Sequence, residues 1–298
     1  MAHSPEAFSN LVDYINAHRA YNPRPQIVSR QLSREFVVDL LRFSRKFRNH
    51  SRRKLAVFRT DCTIEVNSAA ATIDLALGLS DAPIKREATK NDVSAEIDGR
   101  TLTVYDMTPD RFTLFMENKS LVTAHRNIRN RTRILREYEE IMRLKEERAI
   151  RVGTMLLGTA IMYLNVDRVK WAQEALEALC ARLKPLSVSL NNLYDLMGTG
   201  NPAIHNLLKN QDVAKLFCSY NREGEPERSL KIFVDEVPLK SDQSNVGYDF
   251  LIVQFIHVDN IDPAKLDEPA FFRSSKYEHM RYVKAIGEVA ALYDARFS

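Results

Sequence analysis

The spacing of apolar side chains along the chain alternates between the repeat of an amphipathic helix and that of a strand. Ser4-Pro5-Glu6 has the chemistry of a helix start, so we expect a first helix that runs to about His18. The next apolar stripe recurs at intervals of four, three and four residues and consists of Phe36, Leu40, Phe43 and Phe47. These intervals predict a second helix that buries an aromatic face.

Strand patterns occupy two separate parts of the chain. Residues 58–66 are rich in Thr and Val and place apolar side chains at alternate positions, namely Phe58, Cys62, Ile64 and Val66. This pattern predicts a strand. Ser94–Ile97 and Arg100–Tyr105 flank Asp98-Gly99, a pair that accepts the positive φ angles of a tight turn, so we expect a hairpin there. Two further strands are predicted near the carboxyl end, where Ile, Val and Phe dominate Lys231–Val237 and Tyr248–Val258.

Helical patterns fill the remaining segments. Leu121–Arg151 contains no Gly or Pro and predicts a long helix, and the apolar stretch Val152–Val166 predicts a buried helix. Asp167–Lys184 and Tyr282–Phe297 each carry one apolar stripe and predict amphipathic helices. The fold class we expect is therefore α+β, predominantly helical, with a small antiparallel sheet or hairpin in each half.

Three regions follow from these elements. Residues 1–118 are expected to form an N-terminal α+β region with a basic helix and a hairpin. Residues 119–222 are expected to be helical, and residues 223–298 are expected to form an acidic β-hairpin followed by the terminal helix. No repeat of 20 to 50 residues is present, which excludes a solenoid.

The composition is that of a folded protein of 298 residues, because 45% of the residues are hydrophobic and 28% are charged. Three widely spaced cysteines, with no CxxC pair among them, favour a reducing compartment, so we expect a cytoplasmic location. We expect neither a secretory signal nor a transmembrane segment, because the longest apolar stretch is roughly 15 residues and a membrane span needs about 18 to 20.

Positive charge is concentrated in two runs that contain no acid. Residues 40–60 hold eight basic residues, and residues 118–136 hold six. In the second run, four arginines follow a three-four-three spacing that places them on one helical face. Arginine grips phosphate through two parallel hydrogen bonds, so nucleic-acid backbone is the ligand these runs favour. The candidate contact residues are Arg42, Arg45, Lys46, Arg48, Arg52, Arg53, Lys54, Arg126, Arg129, Arg133 and Arg136.

Two alternatives to phosphate binding apply to these charged segments. The basic runs are solvated faces if Arg133 and Arg136 pair with glutamates on their own helix. The stretch Glu223–Glu268 holds eleven acids and four bases, which is either a solubilising surface or a contact for the basic face of a neighbouring subunit. Phe43 and Phe47 lie among the arginines and either stack on bases or, as we expect, belong to the core.

Motifs for established catalytic chemistry are absent from the sequence. There is no GxxxxGK with a following Ser or Thr, no GxGxxG, no GxSxG and no HExxH. The seven histidines do not fall at metal-ligand spacing, so we predict no metal site and no cofactor.

Clustered carboxylates, often with an acid-x-Lys strand, are the signature of metal-dependent nucleases. The candidates are Asp74, Asp98, Asp235, Glu236 and Asp249. No acid-x-Lys triplet is identified in the chain, so we name no catalytic residue.

The preferred hypothesis is a non-enzymatic protein that binds nucleic acid, with RNA favoured, through its phosphate backbone and without reading bases. It would self-associate into a homo-oligomer along the strand, as a nucleocapsid-type protein does. One alternative is a scaffold protein that docks an acidic partner or an anionic membrane surface. The second alternative is a metal-dependent enzyme that processes nucleic acid.

Overall fold

A computed structural model describes residues 4–18, 26–122, 125–160, 162–164, 218–220, 222–241, 243–258 and 263–297, with single positions at 181, 184 and 202. The helices are α1 Ala7–His18, α2 Gln26–Phe43, α3 Arg45–Arg52, α4 Ile128–Lys145, α5 Glu225–Glu236 and α6 Tyr282–Arg296. The strands are β1 Ala56–Val66, β2 Ala69–Leu79, β3 Val93–Ile97, β4 Arg100–Asp106, β5 Arg111–Leu121, β6 Ile150–Gly158, β7 Met162–Leu164, β8 Cys218–Tyr220, β9 Phe250–His257 and β10 Lys265–Leu266.

Eight of these strands form one mixed sheet in the order β10-β9-β6-β5-β2-β1-β4-β3. Strands β5, β6 and β9 are parallel, whereas β2 runs antiparallel to both of its neighbours, β1 and β5. The expected fold of small sheets in a mostly helical chain is therefore wrong, because the structure is α/β with one large sheet. All three regions named above supply strands to it, and β5 crosses the boundary at residue 118.

Helices cover both faces of the sheet. Leu114 and Met116 of β5 belong to a core that contains side chains of α1, α2, α3 and α6. Phe115 points the other way, into a core that contains side chains of α4 and α5. Successive residues of a strand face opposite sides, so the described elements form a three-layer α/β/α sandwich with one large hydrophobic core on each face of the sheet.

Several predicted elements are confirmed. Helix α1 ends at His18, β1 covers the predicted strand, and β9 lies within Tyr248–Val258. Strands β3 and β4 form the expected hairpin, with positive φ angles of 52° at Asp98 and 69° at Gly99. Phe47 is fully buried in the first core, and Phe43 packs against that core, which confirms that these two rings are part of it. The predicted helix Asp167–Lys184 falls outside the described residues, apart from the single positions 181 and 184.

Two elements have the opposite secondary structure from the one predicted. Residues 150–158 form strand β6 instead of a helix, and every position of β6 is buried. A strand covered on both faces reads as a continuous apolar run, which periodicity does not separate from a buried helix. Lys231–Val237 lies almost entirely in helix α5, which starts at Glu225-Pro226 and buries Leu230 and Phe233.

Candidate functional site

Three adjacent strands each carry an acid at the same level of the sheet. The β1–β2 register pairs Thr60 with Leu75 and Cys62 with Ile73, so Asp61 and Asp74 lie opposite each other between these pairs. The β2–β5 register pairs Leu75 with Met116, which brings Asp74 opposite Glu117. Adjacent strands are about 5 Å apart. The sheet therefore aligns Asp61, Asp74 and Glu117 in one row.

Asp74 and Glu117 are joined directly by hydrogen bonds. The backbone N–H of Asp74 donates to Oε2 of Glu117 over 3.2 Å, and the backbone N–H of Asn118 donates to Oδ2 of Asp74 over 2.7 Å. These two bonds fix the carboxyl groups to each other's strands. The site therefore has a rigid β-sheet base instead of a base of loops.

The side chain of Asn118 is held from two elements. Its Nδ2 donates to Oγ of Ser29 over 3.0 Å and to Oγ of Ser33 over 3.2 Å, both on α2. Its Oδ1 accepts a hydrogen bond of 2.5 Å from Oγ1 of Thr154 on β6. Because alternate residues of a strand face opposite ways, fixing Asn118 also fixes the direction of Glu117 and Lys119.

Lys119 completes the cluster. Its Nζ forms an ion pair with Oε1 of Glu117 and lies 5.3 Å from the ring centroid of Tyr138 on α4. The Lys119 side chain is 12% exposed, whereas that of Glu117 is 2% exposed. The ammonium group therefore lies between the buried carboxyl group and the surface.

The electrostatics of the pair are those of a buried acid beside a second acid. Burial, followed by the negative charge of Asp74, raises the pKa of Glu117 to about 8, although Lys119 acts in the opposite direction. Burial also raises the pKa of Asp74, and this rise is opposed by Lys119 and by the Asn118 amide. A cation bound by both carboxyl groups would favour their charged forms, against the burial that raises both pKa values and the repulsion that Asp74 exerts on Glu117.

The donor set fits a cation that keeps open coordination positions. No group of three or more His, Cys, Asp and Glu side chains that could hold a metal occurs in the described part of the chain. Mg²⁺ is usually bound by one or two carboxylates, with substrate phosphate and water as the other ligands. Asp74 and Glu117 match that pattern, whereas a structural metal site would need a closed set of ligands.

Sequence reasoning missed most of this site. Asp74 is among the candidate acids, but Glu117 and Lys119 are not. The expectation that the chain has no acid-x-Lys triplet is wrong, because Glu117-Asn118-Lys119 is one. The signal that would have found the site is the spacing of two residues, which puts both side chains on one face of a strand.

The other candidate acids lie elsewhere. Asp98 is in the β3–β4 turn, and Asp235 and Glu236 end helix α5. Asp249 accepts from Nζ of Lys240 over 3.1 Å and from Nη2 of Arg296 over 3.0 Å, in an internal ion-pair network. None of these four acids is brought to Asp74 by the sheet register.

The two basic runs lie on opposite sides of the sheet. Helix α3, in the first run, places Phe47 in the core that includes α2 and α6. Helix α4, in the second run, places Leu135 and Met142 in the other core. Helices α3 and α4 therefore present their basic residues from opposite sides of the sheet and do not form a single groove.

Several residues of the runs have partners within the chain. Arg42 pairs with Glu6 and with Asp39, and Arg48 donates to the carbonyl groups of Leu41 and Arg42. Arg133 pairs with Glu137 on its own helix, and Arg129 lies 3.9 Å from Glu236. The exposed members are Arg45, Arg52, Arg53, Lys54, Arg129, Arg133 and Arg136, with Lys46 half-buried. The side chain of Arg126 lies outside the described residues. Nucleic-acid binding by these runs stays a prediction.

Comparisons with known proteins give this chain no relatives: no family model, no curated protein and no solved structure matches it. Within the part of the chain that the structure describes, no helix has the length and apolar character needed to cross a membrane. Function is therefore inferred from the geometry of the site alone.

Proposed function

We propose that this protein is a metal-dependent nuclease that hydrolyses phosphodiester bonds, with its site at Asp74, Glu117 and Lys119. The observation that carries the proposal is the acid-x-Lys triplet on β5, which lies beside a second acid on the adjacent strand. A lysine and two mutually repelling carboxyl groups in a largely buried cluster are characteristic of functional sites, where pKa values are perturbed.

Each residue has a distinct role in the proposed reaction. Asp74 and Glu117 would hold a divalent cation, which would act as a Lewis acid on the phosphoryl group and would lower the pKa of the attacking water. Lys119, at the surface side of Glu117, would stabilise the negative charge that develops on the phosphate as water adds to phosphorus. The attacking water would give up a proton, one ester P–O bond would break, and the leaving alkoxide would take up a proton, so that the products are a phosphate monoester and an alcohol.

The nuclease hypothesis replaces the non-enzymatic binder as the preferred function. What supports the change is the internal pairing of Arg42, Arg48 and Arg133, together with the separation of the two basic runs by the sheet. Both weaken the argument from charge, whereas the carboxylate cluster needs no assumption about a shared groove. RNA preference and self-association stay predictions within this proposal.

The test measures cleavage of end-labelled single-stranded RNA and DNA by the purified full-length chain. Wild type is expected to cleave with Mg²⁺ or Mn²⁺ and to be inactive in EDTA. Asp74→Asn, Glu117→Gln and Lys119→Ala should each lower the rate on the order of 100-fold or more, as the loss of a charge-stabilising group typically does. The matched control is Asp98→Asn, because this exposed acid lies in a turn that also accepts Asn.

The three site variants also detect contaminating nuclease. Activity that survives unchanged in all three site variants would come from elsewhere and would contradict the assignment. Metal-independent binding of RNA, without cleavage of any of the substrates, would instead support the non-enzymatic alternative.

A further inference from the structure

A polar cavity of about 430 Å³ includes Asp61, the acid that β1 contributes to the row. It is lined by Arg30 and Arg34 of α2, by Arg59, Thr60 and Asp61 of β1, and by Asn91 and Asp106. Three guanidinium groups face two carboxyl groups in this cavity, so its lining carries an excess of positive charge. None of these arginines except Arg59 lies in a basic run of the sequence.

The arginines retain donors for a ligand. Arg30 uses Nε to pair with Asp61, and Arg59 uses Nη1 to pair with Asp106 over 3.0 Å. The side chain of Arg30 is 52% exposed and that of Arg59 is 47% exposed. Each guanidinium carries five N–H donors in a planar fork, so one ion pair at this exposure leaves it able to bind an anion.

Arg34 is oriented without being neutralised. Its Nη1 donates to the carbonyl of Asn91 over 2.7 Å and its Nη2 to the carbonyl of Asp92 over 2.8 Å. Its guanidinium carbon lies 5.7 Å from the ring centroid of Phe58. Two neutral carbonyl groups fix the direction of the side chain but leave its charge uncompensated.

Asp61 connects this cavity to the candidate catalytic acids. Its backbone has a φ of 50°, a left-handed conformation that is uncommon for a residue other than glycine. It lies opposite Asp74 across the β1–β2 pair, about 5 Å away at the usual strand spacing. Asp61 therefore lies between the cavity, where it pairs with Arg30, and Asp74 on the next strand, while Glu117 and Lys119 face the α4 side of the sheet.

We propose that this cavity binds the phosphate of the nucleotide adjacent to the scissile bond, so that the substrate is a polynucleotide strand instead of an isolated phosphodiester. The proposal rests on the proposed function for its position next to the cleaved bond. Arg30 and Arg59 supply mobile donors for the phosphate oxygens, and Arg34 supplies a fixed positive charge. Planar bidentate recognition of phosphate is the geometry that guanidinium favours.

The test measures binding separately from cleavage. A fluorescein-labelled 12-nucleotide single-stranded RNA is titrated with full-length protein in EDTA, and the fluorescence anisotropy gives the Kd. Arg30→Gln combined with Arg59→Gln should raise the Kd at least tenfold and lower the slope of log Kd against log salt by about 1.4, at about 0.7 per phosphate contact. The charge-matched control is Arg100→Gln with Arg228→Gln, both exposed and outside the cavity.

A second variant separates charge from fold. Arg30→Lys combined with Arg59→Lys keeps both charges but removes the guanidinium fork, and its Kd should lie between those of wild type and the Gln variant. Equal Kd values for wild type and the Gln variant, while Asp74→Asn abolishes cleavage, would overturn this subsite and leave the nuclease proposal standing. If wild type cleaves none of the substrates but the Gln variant loses RNA binding, the result would support the phosphate site and contradict the nuclease proposal.

Discussion

Glu117 shows how one residue acquires its properties from its neighbours. Its side chain is 2% exposed and lies beside a second carboxyl group 43 residues away in the sequence. An exposed glutamate at the same place in the sequence would titrate near its ordinary value. The triplet spacing is visible in the sequence, but the presence of Asp74 beside it follows from strand pairing.

The raised pKa of Glu117 predicts a pH dependence of stability. Between pH 4.5 and about 8 the folded protein binds a proton at Glu117 that the unfolded chain releases. The contribution of Glu117 to the free energy of unfolding therefore falls as the pH rises through that window. Glu117→Gln should remove this fall and make the variant more stable than wild type at pH 8 by a few kcal/mol, at about 1.4 kcal/mol per pKa unit.

Urea unfolding in EDTA at pH 5 and pH 8 gives the required comparison. Glu96→Gln is the control, because Glu96 is exposed on β3. If wild type and Glu117→Gln lose the same stability between the two pH values, Glu117 is not the buried acid described above.

At the scale of elements, helix α3 depends on a residue near the other end of the chain. Asp294 of α6 accepts hydrogen bonds from Oγ of Ser44 over 2.6 Å and from the N–H groups of Arg45 and Lys46 over 3.0 and 2.8 Å. Burial acts to raise the pKa of Asp294, but the bonds from Ser44 and these amides outweigh it and lower the pKa. This cap fixes α3, and with it the first basic run, to α6.

Asp294→Ala should lower the free energy of unfolding by about 1 to 2 kcal/mol, since it removes a helix cap. The loss should appear at pH 7 and shrink below about pH 4, because a lowered pKa contributes stability only where the group is charged. Denaturant titration measures it, with Glu288→Ala on the same helix as the control. The side chain of Glu288 is 43% exposed and pairs only with Lys284 of its own helix among the described contacts, so its replacement should change stability by less than about 0.5 kcal/mol.

Secondary structure was predictable where the local pattern and the fold agree. The β3–β4 hairpin follows from Asp98-Gly99, and α6 follows from its apolar stripe. Strand β6 did not follow, because burial on both faces removes the alternation that marks a strand. Helix α5 did not follow either, because its short Ile-Phe-Val segment has strand propensity and is helical through packing against α4.

At the scale of the whole molecule, the sheet converts distant segments into one site. The row of acids comes from β1, β2 and β5, the support for Asn118 comes from α2 and β6, and Lys119 packs on α4. A ligand that binds only this assembled arrangement stabilises the folded state by mass action.

Mn²⁺ should therefore raise the melting temperature of wild type by several degrees relative to EDTA. Saturation at about 100 times the Kd corresponds to about 2.7 kcal/mol, and a chain of this size gains roughly 2 to 4 °C per kcal/mol. The shift should be lost in Asp74→Asn and kept in Asp98→Asn, as measured by differential scanning fluorimetry. An equal shift in both variants would place metal binding elsewhere on the protein.

The sequence by itself determined the local features: the first and last helices, strands β1 and β9, the β3–β4 hairpin, and the acid-x-Lys spacing on β5. Each depends on residues within a few positions of one another. Only the tertiary structure decided that the strands form one eight-stranded sheet, that Asp74 lies beside Glu117, and that the two basic runs lie on opposite faces. The physical reason is that strand order and register depend on burying two large cores at once, and this condition involves the whole chain.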